Sequence, residues 1–174
     1  MSRAPMGMPM TGAERPEPPP LPAAAKETLA RLRPHYPTSR ALLLPALHLA
    51  QKHWGGWLPE EAILAVAAEL ELPAAEVYGV VTFYDLYHER PVGRHRIRVC
   101  TNVPCMIRGS GELMAALRET LGVEENEVTP DGRCSYVHFE CLGACEQAPM
   151  AMVDETYHGW LDAESIRKIV EGLE

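Results

Sequence analysis

The sequence contains no run of apolar residues long enough to cross a membrane as a helix. The best candidate, residues 41–50, includes Pro45 and His48 and falls well short of the roughly 18 residues that a span needs. Basic residues are also scarce, 16 against 24 acidic ones, and the net charge of −8 argues against a nucleic-acid partner because phosphates bind basic faces. We therefore expect no direct membrane span and no nucleic acid.

The sequence also lacks a secretory signal and a dinucleotide-binding motif. Its N-terminus does not combine a charged segment with an apolar stretch, so we expect no export. No Gly-x-Gly-x-x-Gly fingerprint is present, so we expect no dinucleotide site on this chain. A protein that stays in the cytoplasm keeps its cysteines reduced, which favours thiolate ligands over disulfides.

Composition and periodicity divide the chain into three regions. Residues 1–22 hold seven of the sixteen prolines and four of the eight methionines, and a segment that buries so little apolar surface is expected to be a disordered tail. Residues 23–90 show helical periodicity, with Pro59 and Pro73 at helix starts, and predict a helical bundle. Residues 91–174 predict an α/β layer with the order β-α-β-β-(β)-α.

Particular residues are expected to begin, end or face the core in these elements. Ser39 is expected to cap the second helix, and Pro45 inside that helix predicts either a late start or a kink. Tyr84 is expected on the inward face of the fourth helix, and Asp162 is expected to cap the last one. The predicted strands cover residues 95–99, 134–140 and 150–153 with a short fourth at 160–161 after a turn near 158–159, and a helix covers 109–121.

Four of the five cysteines form two closely spaced pairs. Four residues separate Cys100 from Cys105, and three separate Cys141 from Cys145. Either spacing lets both sulfurs of a pair reach one metal centre, and each pair begins where a predicted strand ends. The sequence therefore predicts a single site of four thiolates at the ends of neighbouring strands.

Three kinds of site use four cysteines in this way. A 2Fe-2S cluster takes two thiolates on each of two irons. A structural zinc ion takes all four sulfurs tetrahedrally, and its sites usually include a tight C-x2-C pair, which this chain lacks. Disulfides need an oxidising compartment. The spacing favours the cluster and leaves the zinc site open.

The residues around the cysteines resemble those of a known family. Residues 99–109 (VCTNVPCMIRG), residues 140–145 (ECLGAC) with the Ala-Pro that follows at 148–149, and residues 77–84 and 56–59 in the helical region carry the resemblance. They are similar to the thioredoxin-like 2Fe-2S subunit of NADH-quinone oxidoreductase, the E subunit of respiratory complex I, over about residues 25–174. The resemblance implies an α/β protein with an N-terminal helical bundle, a thioredoxin-like 2Fe-2S ferredoxin domain and one 2Fe-2S cluster.

The same resemblance implies the ligands and the role of that cluster. Cys100 and Cys105 would hold one iron, and Cys141 and Cys145 the other. The cluster would exchange single electrons with the FMN of a partner flavoprotein subunit that also binds NADH, so neither FMN nor NADH would bind this chain. The chain would be a subunit of the NADH:quinone oxidoreductase, a translocase, with no turnover of its own. It would also meet other peripheral-arm subunits on the cytoplasmic side of the inner membrane.

Two other functions stay open at this point. The equivalent subunit of an NAD-reducing hydrogenase or a formate dehydrogenase would share the same motifs. A structural zinc-binding interaction module would use the same four cysteines without redox chemistry.

A few residues outside the pairs carry expectations of their own. Cys134 is expected to be a small buried hydrophobe rather than a fifth ligand, and His138 is expected to face solvent. Pro149 is expected to be cis on the basis of the resemblance alone. Four aromatic residues are expected either in the core of the bundle or on a surface that docks the flavoprotein: Tyr78, Phe83, Tyr84 and Tyr87.

Overall fold

The computed structural model describes residues 18–174, so most of the predicted tail lies outside the described residues. The N-terminal part is helical and the C-terminal part is a sheet with helices, which confirms the predicted α/β class. The helices are α1 (Ala23–Leu32), α2 (Leu43–His53), α3 (Glu60–Leu70), α4 (Ala74–Phe83), α5 (Val103–Ile107), α6 (Ser110–Leu121) and α7 (Ala163–Glu171). The strands are β1 (His95–Cys100), β2 (Cys134–Phe139), β3 (Ala151–Val153) and β4 (Thr156–His158). None of the helices between residues 18 and 174 is both long and apolar enough to span a membrane.

Prolines decide where the N-terminal helices begin. Pro59 and Pro73 directly precede α3 and α4, where their missing N–H groups cost no hydrogen bond. Helix α2 starts late, after a 3-10 turn, so that Pro45 lies in its first turn. A late start was one of the two predicted possibilities. The prediction that Ser39 caps this region was wrong, since its side chain makes no capping hydrogen bond.

One apolar cluster holds the four helices together. Leu47, Ile63 and Val77 are each at most 1% exposed and represent α2, α3 and α4. Leu21 belongs to the same cluster at 3% exposure, although the sequence assigned it to the tail. Tyr84 does not join the cluster: α4 ends at Phe83, and Tyr84 is 39% exposed, so its predicted inward orientation was wrong.

The C-terminal sheet has the strand order β2-β1-β3-β4. The central strand β1 is parallel to β2 and antiparallel to β3, and α5 and α6 supply the crossover that a parallel pair requires. Ile97 and Val99 on β1 are fully buried, as their alternation predicted. The predicted fourth strand at 160–161 was wrong: β4 comes earlier because Asp154 adopts a left-handed backbone with φ of 54° and turns the chain there.

Helices α6 and α7 cover one face of this sheet. Their leucine, isoleucine and valine side chains pack against the buried residues of β1, β2 and β3 in a second apolar cluster. Asp162 caps α7 as predicted, by accepting a hydrogen bond of 2.8 Å from the N–H of Ser165. The opposite face of the sheet carries half-buried residues such as Arg96, Arg98 and Met152.

The segment between α4 and β1 is hydrogen-bonded to both parts. On the helical side, Gln51 donates to the carbonyl of Leu86 at 3.0 Å and accepts from the N–H of His88 at 2.9 Å. On the sheet side, the N–H of Gly93 donates to Oγ of Ser135 at 3.0 Å. The segment therefore connects the bundle to β2 through fixed contacts.

His88 in this segment gives the chain a specific sensitivity to acid. Its ring contacts the guanidinium of Arg96, which can only donate, so Nε2 must accept as a neutral imidazole. Burial, followed by the charges of Arg96 and Arg98, lowers the pKa of His88 to about 3. The unfolded chain therefore binds this proton near pH 6.5 and the folded chain only near pH 3, so stability falls as pH falls through that window.

We expect His88→Gln to weaken this acid sensitivity, because glutamine can still accept from Arg96 and does not titrate. Urea unfolding of the wild type and His88→Gln at several pH values between about 3.5 and 7.5 measures the effect. The stability of the variant should fall less between about pH 6.5 and 4 than that of the wild type. Parallel pH profiles for the two proteins would contradict the assignment.

Candidate metal centre

The first cysteine pair lies where β1 ends. Cys100 is the last residue of β1 at 3% exposure, and its N–H donates to the carbonyl of Met150 at 3.1 Å. The chain then turns into α5, which starts with the side chain of Asn102 accepting from the N–H of Val103 at 2.9 Å. Cys105 lies on this short helix at 1% exposure. Both sulfur-bearing side chains of the first pair are therefore buried.

The second pair follows the neighbouring strand β2. Cys141 lies two residues beyond the end of β2, and Cys145 begins a 3-10 turn; both are exposed. Gly143, midway between them, has a left-handed φ of 76°, which glycine adopts without steric cost. The N–H of Thr101, next to Cys100, donates to the carbonyl of Phe139 at 2.9 Å and ties the ends of β1 and β2 together.

An apolar cluster forms the floor of this region. It contains Cys100, Cys105, Leu142, Ala148 and Met150, each at most 8% exposed. The peptide bond between Ala148 and Pro149 is cis, which confirms the expectation from the resemblance. The strand ends, the cis bond and the two cysteine segments thus lie around one buried patch.

The surroundings of Cys105 raise the pKa of its thiol. Burial contributes most to raising the pKa of the Cys105 thiol, and a hydrogen bond with Cys100 contributes next. The charges of Cys100 and Cys145 act in the same direction. The pairing of β1 with β2 places the starts of the two cysteine segments at adjacent strand ends, and the single site of four thiolates stays a prediction.

The cysteine side chains fit a cluster in which each metal ion is bound by two protein ligands. All five cysteines are free thiols. Within residues 18–174, no set of three or more His, Cys, Asp or Glu side chains is arranged to hold a single metal ion. A 2Fe-2S cluster asks for two thiolates on each iron, and soft sulfur donors suit iron–sulfur chemistry. Two adjacent thiol pairs are the donor chemistry that such a cluster uses.

Cys134 and His138 lie where the sequence predicted. Cys134 is fully buried in the cluster between the sheet and its helices, and burial raises the pKa of its thiol. His138 is exposed, and its Nδ1 contacts the carboxylate of Glu125. Neither residue belongs to the apolar cluster that contains Cys100 and Cys105.

The four aromatic residues in and just after α4 divide between core and surface. Tyr87 is 6% exposed and donates to the carbonyl of Leu44 at 3.0 Å, whereas Tyr78 is half-buried. Phe83 is 77% exposed and stacks edge-on against Tyr84.

The sequence did not single out a second exposed apolar group, which lies on α5 beside Cys105: Val103, Met106 and Ile107.

The model of the thioredoxin-like [2Fe-2S] ferredoxin family matches residues 29–174, which include the helical part, the sheet and all four paired cysteines. The chain belongs to the thioredoxin-like [2Fe-2S] ferredoxin family. The family membership predicted from the cysteine segments is thereby confirmed.

Several curated proteins are similar to the chain over most of their length. The E subunit of NADH-quinone oxidoreductase from Rickettsia bellii (strain RML369-C) is 43% identical over 134 residues, 77% of this chain and 80% of that protein. The E 2 subunit of NADH-quinone oxidoreductase from Rhizobium meliloti (strain 1021) is 41% identical over 148 residues, 85% of this chain and 88% of that protein.

A solved structure also matches the fold. It is the NAD+-reducing [NiFe]-hydrogenase in its air-oxidized state, with a TM-score of 0.64 and 25% sequence identity. The match covers 75% of this chain and 22% of the hydrogenase chain. The same fold therefore occurs as a part of a larger redox enzyme.

Proposed function

We propose that this chain is the electron-transfer subunit of an NADH-quinone oxidoreductase and holds one 2Fe-2S cluster. Cys100 and Cys105 are the proposed ligands of one iron, and Cys141 and Cys145 those of the other. The observation that carries the proposal is that the two cysteine pairs follow the adjacent ends of the parallel strands β1 and β2. Membership in the [2Fe-2S] ferredoxin family supports it.

The cluster supplies reversible one-electron chemistry when bound. The residues of the chain determine its surroundings. The buried first pair and the floor around Met150 exclude water from one side of the site, and burial and solvent exposure help to set a cluster's potential. The exposed second pair, Cys141 and Cys145, leaves the other side at the protein surface, where an electron can pass to a partner.

We propose that the partner is a flavoprotein subunit that carries FMN and binds NADH. The absence of a dinucleotide fingerprint from this sequence supports placing both molecules in the partner. The exposed apolar residues on α5 lie beside Cys105, and such exposed apolar groups are typical of protein contacts: Val103 is 57%, Met106 61% and Ile107 76% exposed. Docking there would bring a flavin close to the cluster.

The larger assembly is part of the proposal. The curated relatives are named as subunits of NADH-quinone oxidoreductase, so we propose that this chain joins other peripheral-arm subunits on the cytoplasmic side of the inner membrane. In that translocase it would relay electrons without turnover of its own. The hydrogenase match favours a second candidate, the equivalent subunit of an NAD-reducing hydrogenase or a formate dehydrogenase. The higher identity to the NADH-quinone oxidoreductase subunits, 43% against 25%, favours the first.

Anaerobic reconstitution tests the proposed electron transfer. The chain is captured by an affinity tag from its own cells, and the co-purified subunits are identified. NADH should reduce the cluster of this chain when the FMN-containing subunit is present and should leave it oxidised when the chain is alone. Recovery of hydrogenase or formate dehydrogenase subunits would replace the first candidate by the second. Absence of an FMN-containing subunit from the captured complex would refute the flavin partnership.

A further inference from the structure

The hydroxyl of Tyr157 makes a long-range hydrogen bond to the backbone, although half of this residue is exposed to solvent. It lies on β4, at the edge of the sheet opposite β2, and its side chain is 52% exposed. Its hydroxyl donates at 3.0 Å to the carbonyl of Leu142, a residue 15 positions earlier in the chain. Leu142 follows Cys141 directly, so a side chain on one edge of the sheet reaches the cysteine loop that leaves the other edge.

The position of Tyr157 is fixed by the sheet. Tyr157 pairs with Met152 on β3, and Met152 pairs with Arg98 on the central strand β1. The guanidinium of Arg98 donates to the carbonyl of Asp154 at 2.8 Å, which ties the β3–β4 turn back to β1. A residue on a paired strand is held more accurately than one on a loop. The hydroxyl of Tyr157 is therefore a fixed donor for a loop that lacks strand pairing of its own.

The loop has the freedom that such a donor would restrict. Gly143 follows Leu142 and has a φ of 76°. Apart from its chain neighbours, no heavy atom lies within 4 Å of the point where a Cβ of Gly143 would be. The left-handed backbone of Gly143 and the open space at its Cβ position leave this part of the loop with few steric restraints, and the bond from Tyr157 fixes the orientation of the Leu142 carbonyl.

We infer that Tyr157 is a positioning residue for the cysteines of this loop, an inference that rests on the cluster proposed above. In a trans peptide the C=O and N–H groups point in opposite directions. Holding the Leu142 carbonyl towards Tyr157 therefore turns the N–H of Gly143 to the other side. Gly143 is two residues from both Cys141 and Cys145. Hydrogen bonds from backbone N–H groups to cluster sulfurs raise the reduction potential, because they stabilise the more negative reduced state.

Tyr157→Phe removes only the hydroxyl, and Tyr136→Phe is its matched control. The hydroxyl of Tyr136 also donates to a backbone carbonyl, that of Val123 at 3.1 Å, and Tyr136 belongs to the cluster beneath α6 and α7 rather than to the cysteine floor. Both variants lose one tyrosine-to-carbonyl hydrogen bond. Only Tyr157→Phe should release the cysteine loop.

Three measurements on the full chain test the inference. An electron paramagnetic resonance titration should show that Tyr157→Phe lowers the equilibrium constant for reduction about threefold and shifts the g values. A chelator should remove iron from this variant faster, on the order of tenfold, because the loss of a hydrogen bond that supports metal ligands typically lowers metal affinity by at least that factor. In the metal-free chain, the amide of Gly143 should exchange hydrogen faster. Tyr136→Phe should match the wild type in all three.

The outcomes separate this inference from the proposed function. If the wild type holds a cluster and both variants match it in potential, g values and chelation rate, the role of Tyr157 is overturned and the proposed function is left intact. A wild-type chain that holds no cluster would refute the proposed function. In that case, faster hydrogen exchange at the amide of Gly143 in Tyr157→Phe alone would still support the role of Tyr157 in fixing the loop. Equal exchange in both variants would overturn that role.

Discussion

Cys105→Ala is expected to abolish the 2Fe-2S cluster, whereas Cys134→Ala is expected to leave it in place. Cys105 is a proposed ligand in the buried half of the site, and its loss would leave one iron with a single protein thiolate. Iron and acid-labile sulfide should fall from about two of each per chain to near zero, and the visible absorption should disappear. Chemical analysis and absorption spectra of anaerobically purified protein measure both.

Cys134→Ala is a close control for this result. Cys134 and Cys105 are both at most 1% exposed, and each variant loses one sulfur atom from a buried position. The cost of the small cavity is therefore similar in the two variants, and only the ligand role differs. Retention of the full cluster by Cys105→Ala, or loss of the cluster from Cys134→Ala, would contradict the proposed ligand set.

Gly93→Ala is expected to destabilise the fold by about 3 kcal/mol, the upper part of the usual range for overpacking. A Cβ on Gly93 would lie 2.3 Å from the carbonyl carbon of Cys134 and 2.4 Å from the nitrogen of Ser135. Both are backbone atoms of β2, so the conflict cannot be relieved by rotating a side chain. Movement of the segment would also strain the hydrogen bond from the N–H of Gly93 to Ser135.

Thermal or urea unfolding measures this effect, and Gly79→Ala provides the control. Gly79 lies within α4, and no heavy atom lies within 4 Å of the point where its Cβ would be. Alanine is favoured over glycine inside a helix by about 0.5–1 kcal/mol, so Gly79→Ala should stabilise the chain. The two glycine-to-alanine changes should therefore have opposite signs. Equal midpoints for Gly93→Ala and the wild type would show that Gly93 is not closely packed against β2.

Much of the fold was predictable because local patterns agree with the tertiary structure. The apolar stripe of α6 ends at Leu121, and Gly122 follows in the left-handed conformation that terminates helices. Asp162 caps α7 by the local hydrogen bonds that its residue type favours. The cysteine pairs were recognisable because a chelating unit is close in sequence. Each of these features depends on neighbours within a few residues.

The features that the sequence did not reveal depend on short or distant contacts. Helix α5 has only five residues, too few to display a helical period, although Asn102 followed by Pro104 was a usable start signal. Strand β4 has three residues, and its place is set by pairing with β3 and by the backbone of Asp154. The bond from Tyr157 to Leu142 joins opposite edges of the sheet. No periodicity or spacing encodes a contact of that kind.

The most direct test of the account is the electron paramagnetic resonance spectrum of the anaerobically purified chain before and after reduction with dithionite, together with its iron and sulfide content. If a 2Fe-2S cluster is bound by Cys100, Cys105, Cys141 and Cys145, the oxidised protein should be coloured and give no electron paramagnetic resonance signal. On reduction its colour should bleach and a half-spin signal should appear at low temperature, with about two irons and two sulfides per chain. A colourless protein with about one zinc per chain, and no reducible signal after an attempted cluster reconstitution, would contradict electron transfer and favour a structural zinc module.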